Sequence, residues 1–135
     1  MRLKVIQSGR WTILSPIVGN SGECIVEQFF EAYVENYESS VTGLLRMAEM
    51  HSSQGPTAFT PKQLHYVDQK EKIYQWRKGD LRLLWFADEG RVVICLHGIL
   101  KKSQETPKRE IKQAIRIKQE YLDAKARNGI SIEEE

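Results

Sequence analysis

Cysteine is scarce in this sequence. Cys24 and Cys95 are the only two thiols in 135 residues. With no CxxC and no Cys/His cluster at zinc spacing, neither a disulfide framework nor a zinc site is expected. Lone thiols in apolar segments fit a reducing compartment. Long hydrophobic runs are also lacking: no stretch approaches the roughly 20 apolar residues of a membrane span. The opening MRLKVIQSGRW has no apolar leader run, so the expected location is cytoplasmic. There is no Walker loop, GxGxxG, HExxH or GxSxG. That leaves out the familiar signatures of nucleotide hydrolysis, hydride transfer, metalloprotease and nucleophile-elbow chemistry. Repeats and low-complexity tracts are missing too. The length suits one domain, read here as residues 1–128, followed by an acidic tail at 129–135 expected to fray.

Charge is present but unevenly placed. The net charge is only +2. Residues 1–60 carry four Lys and Arg against six Asp and Glu, whereas residues 70–118 carry thirteen against six. A basic half on a near-neutral chain suggests an anionic partner for one face, or simply well-solvated lysine-rich surfaces.

The pattern of apolar residues predicts an α+β domain. Residues 2–7 alternate loosely, and Trp11 to Ile17 reads as a strand stopped at Pro16 and GNSG. ECIVEQFFEAYVENY has helical spacing. A second helix follows around Val41, Leu44, Leu45, Met47 and Ala48, making a helical hairpin. KIYQWR, LRLLWFA and RVVICLHG, separated by KGD and DEG, form an antiparallel meander. Thr106-Pro107 then opens a long helix, with Thr106 as cap and Gly129 past its end. Helices on one face of a mostly antiparallel sheet are the expected architecture.

Several residues can carry chemistry. Arg82 opens the second meander strand and shares a face with Leu84 and Phe86. It suits phosphate recognition, or a structural pairing with Asp80, Glu71 or a backbone carbonyl. Arg77 lies across the KGD turn. Lys101 and Lys102 leave the third strand. His97, by strict alternation, shares a face with Val93 and Cys95. It is either a hydrogen-bonded structural residue or a general acid or base. Glu71 is the carboxylate placed beside the meander, as a base or as an ion-pair partner. His65 is a weaker candidate, and His51, ending a helix, reads as structural. Tyr74, Trp76, Trp85 and Phe86 suit core and cross-strand pairs better than base stacking.

Taken together, Trp76-Arg77, Leu81-Arg82-Leu83-Leu84-Trp85-Phe86, Leu96-His97-Gly98-Ile99-Leu100-Lys101-Lys102 and Thr106-Pro107-Lys108-Arg109-Glu110-Ile111 resemble one pattern. It is that of the RelE/ParE superfamily of type II toxin–antitoxin toxins, in its phage-derived HigB-like group. The likeness spans roughly residues 10–125. It implies a RelE-like fold: a mostly antiparallel sheet with an N-terminal helical hairpin and a C-terminal helix. It also implies a ribosome-dependent, metal-independent mRNA endoribonuclease without cofactor. The implied partners are the ribosome, mRNA and a helix-turn-helix (HigA-like) antitoxin. On this likeness Arg82 and Arg77 stabilise phosphate charge, Lys101 and Lys102 clamp phosphate, and His97 matches the HG position. The proton carrier is then expected to be His97 or, from its place beside the meander, Glu71. Leu81 and Ile99 stand where the pattern has aromatics, and Tyr121 is no clear match to a C-terminal catalytic tyrosine. A ParE-like gyrase inhibitor and an inactive phage-derived relic that binds only its antitoxin are the alternatives.

Overall fold

The computed structural model describes residues 1–103 and 105–134, with His65 described by its backbone alone. The chain runs β1 (Arg2–Ser8), β2 (Thr12–Pro16), α1 (Ile25–Tyr33), α2 (Glu38–Gln54), a short 3-10 turn, β3 (Leu64–Asp68), β4 (Ile73–Lys78), β5 (Leu81–Asp88), β6 (Val92–Leu100), α3 (Lys108–Ala126) and β7 (Ser131–Glu133). The strands form one mixed sheet in the order β3-β4-β5-β6-β2-β1-β7. The meander pairs are antiparallel, as is β1 with β2; β2–β6 and β1–β7 are parallel.

Three expectations need correction. The helical pair is not N-terminal, because β1 and β2 precede it. The helices do not share one face. Leu81, Leu83 and Trp85 of β5 pack with Phe29 of α1 and Leu44 and Met47 of α2. Leu84 and Phe86 pack with Ala114, Ile117 and Tyr121 of α3. A strand covered on both faces must be apolar on both, which is why LRLLWF reads as a nearly continuous run. Finally, the acidic tail contributes β7, whose Ile132 lies opposite Leu3. Arg2 and Glu133 meet there at 2.7 Å, so an edge strand forms where sequence alone suggested fraying. β3 was also absent from the sequence reading; its register with β4 shifts between Tyr66 and Asp68, which blurs a short alternation.

Two features fix the layers. Gly98 faces α1 so closely that a Cβ there would lie about 2.5 Å from Phe29 ring atoms; glycine permits this approach of helix to strand. At the far end of the sheet, Tyr121 donates to Asp88 at 2.6 Å and Lys125 at 2.9 Å. Burial opposes ionisation of Asp88, but these bonds outweigh it and hold its pKa below the usual value. Tyr121 is therefore a tie between α3 and the β5–β6 turn.

His51 is structural, as its place at a helix end suggested, but as a neutral core residue and not as a cation facing the helix dipole. It is fully buried, caged by Trp11, Phe59, Trp76 and Trp85. Neither ring nitrogen has a hydrogen-bond partner. Burial pushes its pKa down from 6.5 to about 4. The unfolded chain therefore takes up this proton first as pH falls. The associated stability is intact above about pH 6.5 and is lost as pH falls through about 4. The loss is about 3 kcal/mol. We expect urea-unfolding free energy to fall between pH 7 and 4 by that much more in the wild type than in His51→Phe. Asp88 and the other carboxylates titrate in both proteins, so the difference isolates His51. Parallel pH curves would remove His51 as the cause.

Candidate functional site

The exit of β6 is where the candidate residues converge. β2 pairs with β6 only as far as Ile94, so the second half of β6 has no strand on that side. The Lys101 N–H donates to the Asp80 carbonyl at 2.7 Å. By the alternation of an antiparallel ladder, the odd-numbered residues of this stretch bond to β5, and the peptide groups of Gly98 and Leu100 turn the other way. A cleft of about 400 Å³ lies there, lined by Tyr33, Gly98, Ile99, Leu100, Lys101, Pro107, Arg109 and Glu110. Its polar wall is the first turn of α3, where a carboxylate such as Glu110 is favoured by the helix dipole.

His97 reaches this wall by an irregularity in the strand. The β5–β6 register changes between Leu84 and Trp85: Trp85 pairs with Cys95, but Leu84 pairs with His97. The extra residue, Leu96, is a β-bulge that reverses the alternation. His97 therefore lies on the α3 face with Leu84, and not on the face of Val93 and Cys95. Its Nε2 is 3.0 Å from Glu110 Oε2, and the side chains are 12% and 26% exposed. Burial lowers the His97 pKa, and the Glu110 carboxylate opposes this without reversing it. A neutral ring donating Nε2–H to Glu110 satisfies both observations. Nδ1 is buried without a partner. Glu110, which lines the cleft, is thus the solvent-facing member of the pair.

Arg82 is not at a solvent-exposed rim. The residue is 0% exposed. Its terminal nitrogens donate to the carbonyls of Lys101 at 2.7 Å and Ser103 at 2.6 Å. Burial, and the charge of Arg77 directly opposite on β4, lower its pKa, while Asp80 raises it. This is the backbone-carbonyl alternative: Arg82 pins the segment that carries the lysine pair. Lys101 is half-buried on the cleft wall and Lys102 is exposed.

Glu71 is not brought to this place. It sits in the β3–β4 turn, where its carbonyl accepts from Lys118 at 2.6 Å. Arg77 is at the opposite end of β4, roughly 20 Å away along the strand. The side chain of His65 lies outside the described residues. Leu81 and Ile99, the departures from the aromatic pattern, are buried on opposite faces. Thr106 does not cap α3. Pro107 takes that position, and the Thr106 hydroxyl donates to Gln75 at 3.2 Å.

Glu110, Arg109 and Tyr33 were missed as site residues. The first two lay inside the TPKRE motif, but only the bulge at Leu96 shows that His97 points to them. Arg109 is 87% exposed, with Nε 3.8 Å from Glu110. A wider groove of about 550 Å³ between Ile17, Ile25 and Ile117 lies apart from all these groups. Among the described residues, no group of three or more His, Cys, Asp or Glu is placed to hold a metal ion, and no helix is long and apolar enough to cross a membrane.

The architecture is a mixed α+β domain presenting a carboxylate, held from behind by a histidine, on a cleft with Lys101 and Arg109. The family model for the phage-derived protein Gp49-like (DUF891) matches residues 29–119, and the chain belongs to that family. The match takes in α2, the whole meander and the first turns of α3, hence both the cleft and the bulge. A search of curated proteins finds no match.

Proposed function

We propose that this protein is the toxin of a type II toxin–antitoxin system and cleaves mRNA on the ribosome without a metal ion. The observation that carries this reading is Glu110, backed by His97 and lining a cleft edged by Lys101 and Arg109. Membership of a phage-derived Gp49-like family fits a toxin-like role in general. In the proposed reaction Glu110 accepts the proton of a ribose 2′-hydroxyl. The 2′-oxygen forms a bond to the adjacent phosphorus as the bond to the 5′-oxygen breaks. Lys101 gives the leaving oxygen its proton, and Arg109 and Lys102 offset charge on the phosphorane. His97 positions Glu110. Arg82, with Arg77 beside it, holds the lysine segment in place. A helix-turn-helix antitoxin and the ribosome are the proposed partners.

Induction in a bacterial host, followed by primer extension on abundant mRNAs, tests this reading. Cuts that require active translation are expected. Growth arrest with intact mRNA would replace the nuclease with a non-cleaving inhibitor such as a gyrase poison. Neither arrest nor cutting would favour an inactive relic.

The lysine pair has its own test. Lys101→Ala/Lys102→Ala should weaken binding to ribosome–mRNA complexes and flatten its dependence on salt. Losing two single-strand phosphate contacts lowers the log–log slope by about 1.4. Equal slopes for variant and wild type would place both lysines outside the RNA path.

A further inference from the structure

We infer that Tyr33 is the stacking surface for an RNA base next to the phosphate that Lys101 and Arg109 hold. The inference rests on the RNA reading above and deepens it by placing a base in the same cleft. Tyr33 is the last residue of α1. It lines the β6 cleft together with Lys101, Arg109 and Glu110. The helices α1 and α3 cover opposite faces of the sheet. Their residues nevertheless meet in one cleft, because β2 pairs with β6 only as far as Ile94. Beyond that point no strand stands between the end of α1 and the start of α3.

The local sequence sets the ring there. Phe29 lies so close to Gly98 that a Cβ at that position would collide with its ring. Tyr33 follows Phe29 by four residues, on the same side of the helix, and the two ring centroids are 5.3 Å apart at 64°. Tyr37 meets Tyr33 at 6.0 Å and 75°. The Tyr33 carbonyl accepts from the Tyr37 N–H at 2.8 Å, which ties the residue into the α1–α2 connection. Tyr33 therefore has two steep ring contacts and, among the described residues, no stacked ring. It is half-buried and held in position from within. Steep aromatic contacts are ordinary core packing. They do not account for a tyrosine on a cleft whose other walls carry two cations and a carboxylate.

The rest of the lining suits a nucleotide. Lys101 and Arg109 supply positive charge for a phosphate. The peptide groups of Gly98 and Leu100 turn away from β5 toward the cleft and offer N–H and C=O partners to the edge of a base. Single-stranded RNA presents a flat ring, a polar ring edge and an adjacent phosphate, and proteins commonly meet these with an aromatic face, hydrogen-bonding groups and cations. All three kinds of group line this one cleft, of about 400 Å³. A base stacked on Tyr33 would leave its neighbouring phosphate to Lys101 and Arg109, within the cleft that Glu110 also lines.

The experiment is an NMR titration of the full chain with 2′-O-methylated ApA, followed on the Tyr33 ring protons. This dinucleotide has two bases and one phosphate, and no free 2′-hydroxyl to attack that phosphate. Saturable upfield shifts of Tyr33 are expected with it and not with the same backbone lacking both bases. Tyr33→Leu keeps an apolar contact for Phe29 but has no ring. It should weaken ApA binding by about 5- to 100-fold, the range of one lost stacking contact. Tyr33→Phe keeps the ring and should bind like the wild type. No Tyr33 shift, equal shifts with the abasic backbone, or a Tyr33→Phe that binds as weakly as Tyr33→Leu overturns the stack. If translated mRNA is cut while ApA leaves Tyr33 unmoved, the stacking surface fails alone. If ApA stacks and no mRNA is cut, the stacking surface stands and the nuclease reading falls.

Discussion

Glu110→Gln is expected to lower single-turnover cleavage of ribosome-bound mRNA by about 10²–10⁴-fold, the usual contribution of a positioned proton carrier. The substitution is nearly isosteric. Its amide oxygen can still accept from His97 Nε2, now 3.0 Å from the carboxylate, but it cannot take up a proton. RNA affinity should therefore change little. His97→Gln should act more weakly and through rate rather than binding, because His97 touches Glu110 and not the cleft. It should also alter the acid limb of the pH–rate profile. His97 titrates below its ordinary value of 6.5, and once charged it ties Glu110 into an ion pair and weakens it as a base. Wild-type cleavage should fall on that limb, and the limb should shift in His97→Gln. Wild-type rates in Glu110→Gln would remove Glu110 from the chemistry.

Arg82→Met is expected to destabilise the fold by about 3 kcal/mol. Two charge-assisted hydrogen bonds disappear, each of the kind that contributes about 1.5–3 kcal/mol. The carbonyls of Lys101 and Ser103, which they satisfy at 2.7 and 2.6 Å, can regain only part of this from water. Arg82→Lys should rescue little, since one ammonium cannot replace a planar fork that reaches two carbonyls. Urea midpoints measure the loss. Activity should fall as well, but indirectly, as the lysine segment loosens. An unchanged midpoint with abolished RNA binding would return Arg82 to the role of phosphate contact.

Much of the fold was legible because local chemistry and tertiary packing agree. The meander follows from its turns. Gly79 and Gly90 both have positive φ, and the flanking apolar runs set three strands. That a long helix follows Thr106-Pro107 was legible from its helical spacing. The spacing suggested Ile111, Ala114, Ile115, Lys118 and Leu122 as one side, whereas packing buries Ala114, Ile117, Tyr121 and Ala124. The basic bias of residues 70–118 pointed to the surface that carries Lys101, Lys102 and Arg109.

What the sequence by itself determined is the set of elements whose signal is local: the helices, the meander, and a cationic stretch around the start of α3. Tertiary structure decided the rest. Strand β7 exists because β1 offers an edge three residues long, a partner that no local signal reveals. The second helical layer was hidden because a strand buried on both faces has no polar side to show which layer covers it. Most directly, one extra residue at Leu96 turned His97 from the α1 face to the α3 face and joined it to Glu110, thirteen residues away. Periodicity cannot foresee such a step, because a bulge is a property of two paired strands and not of either sequence alone.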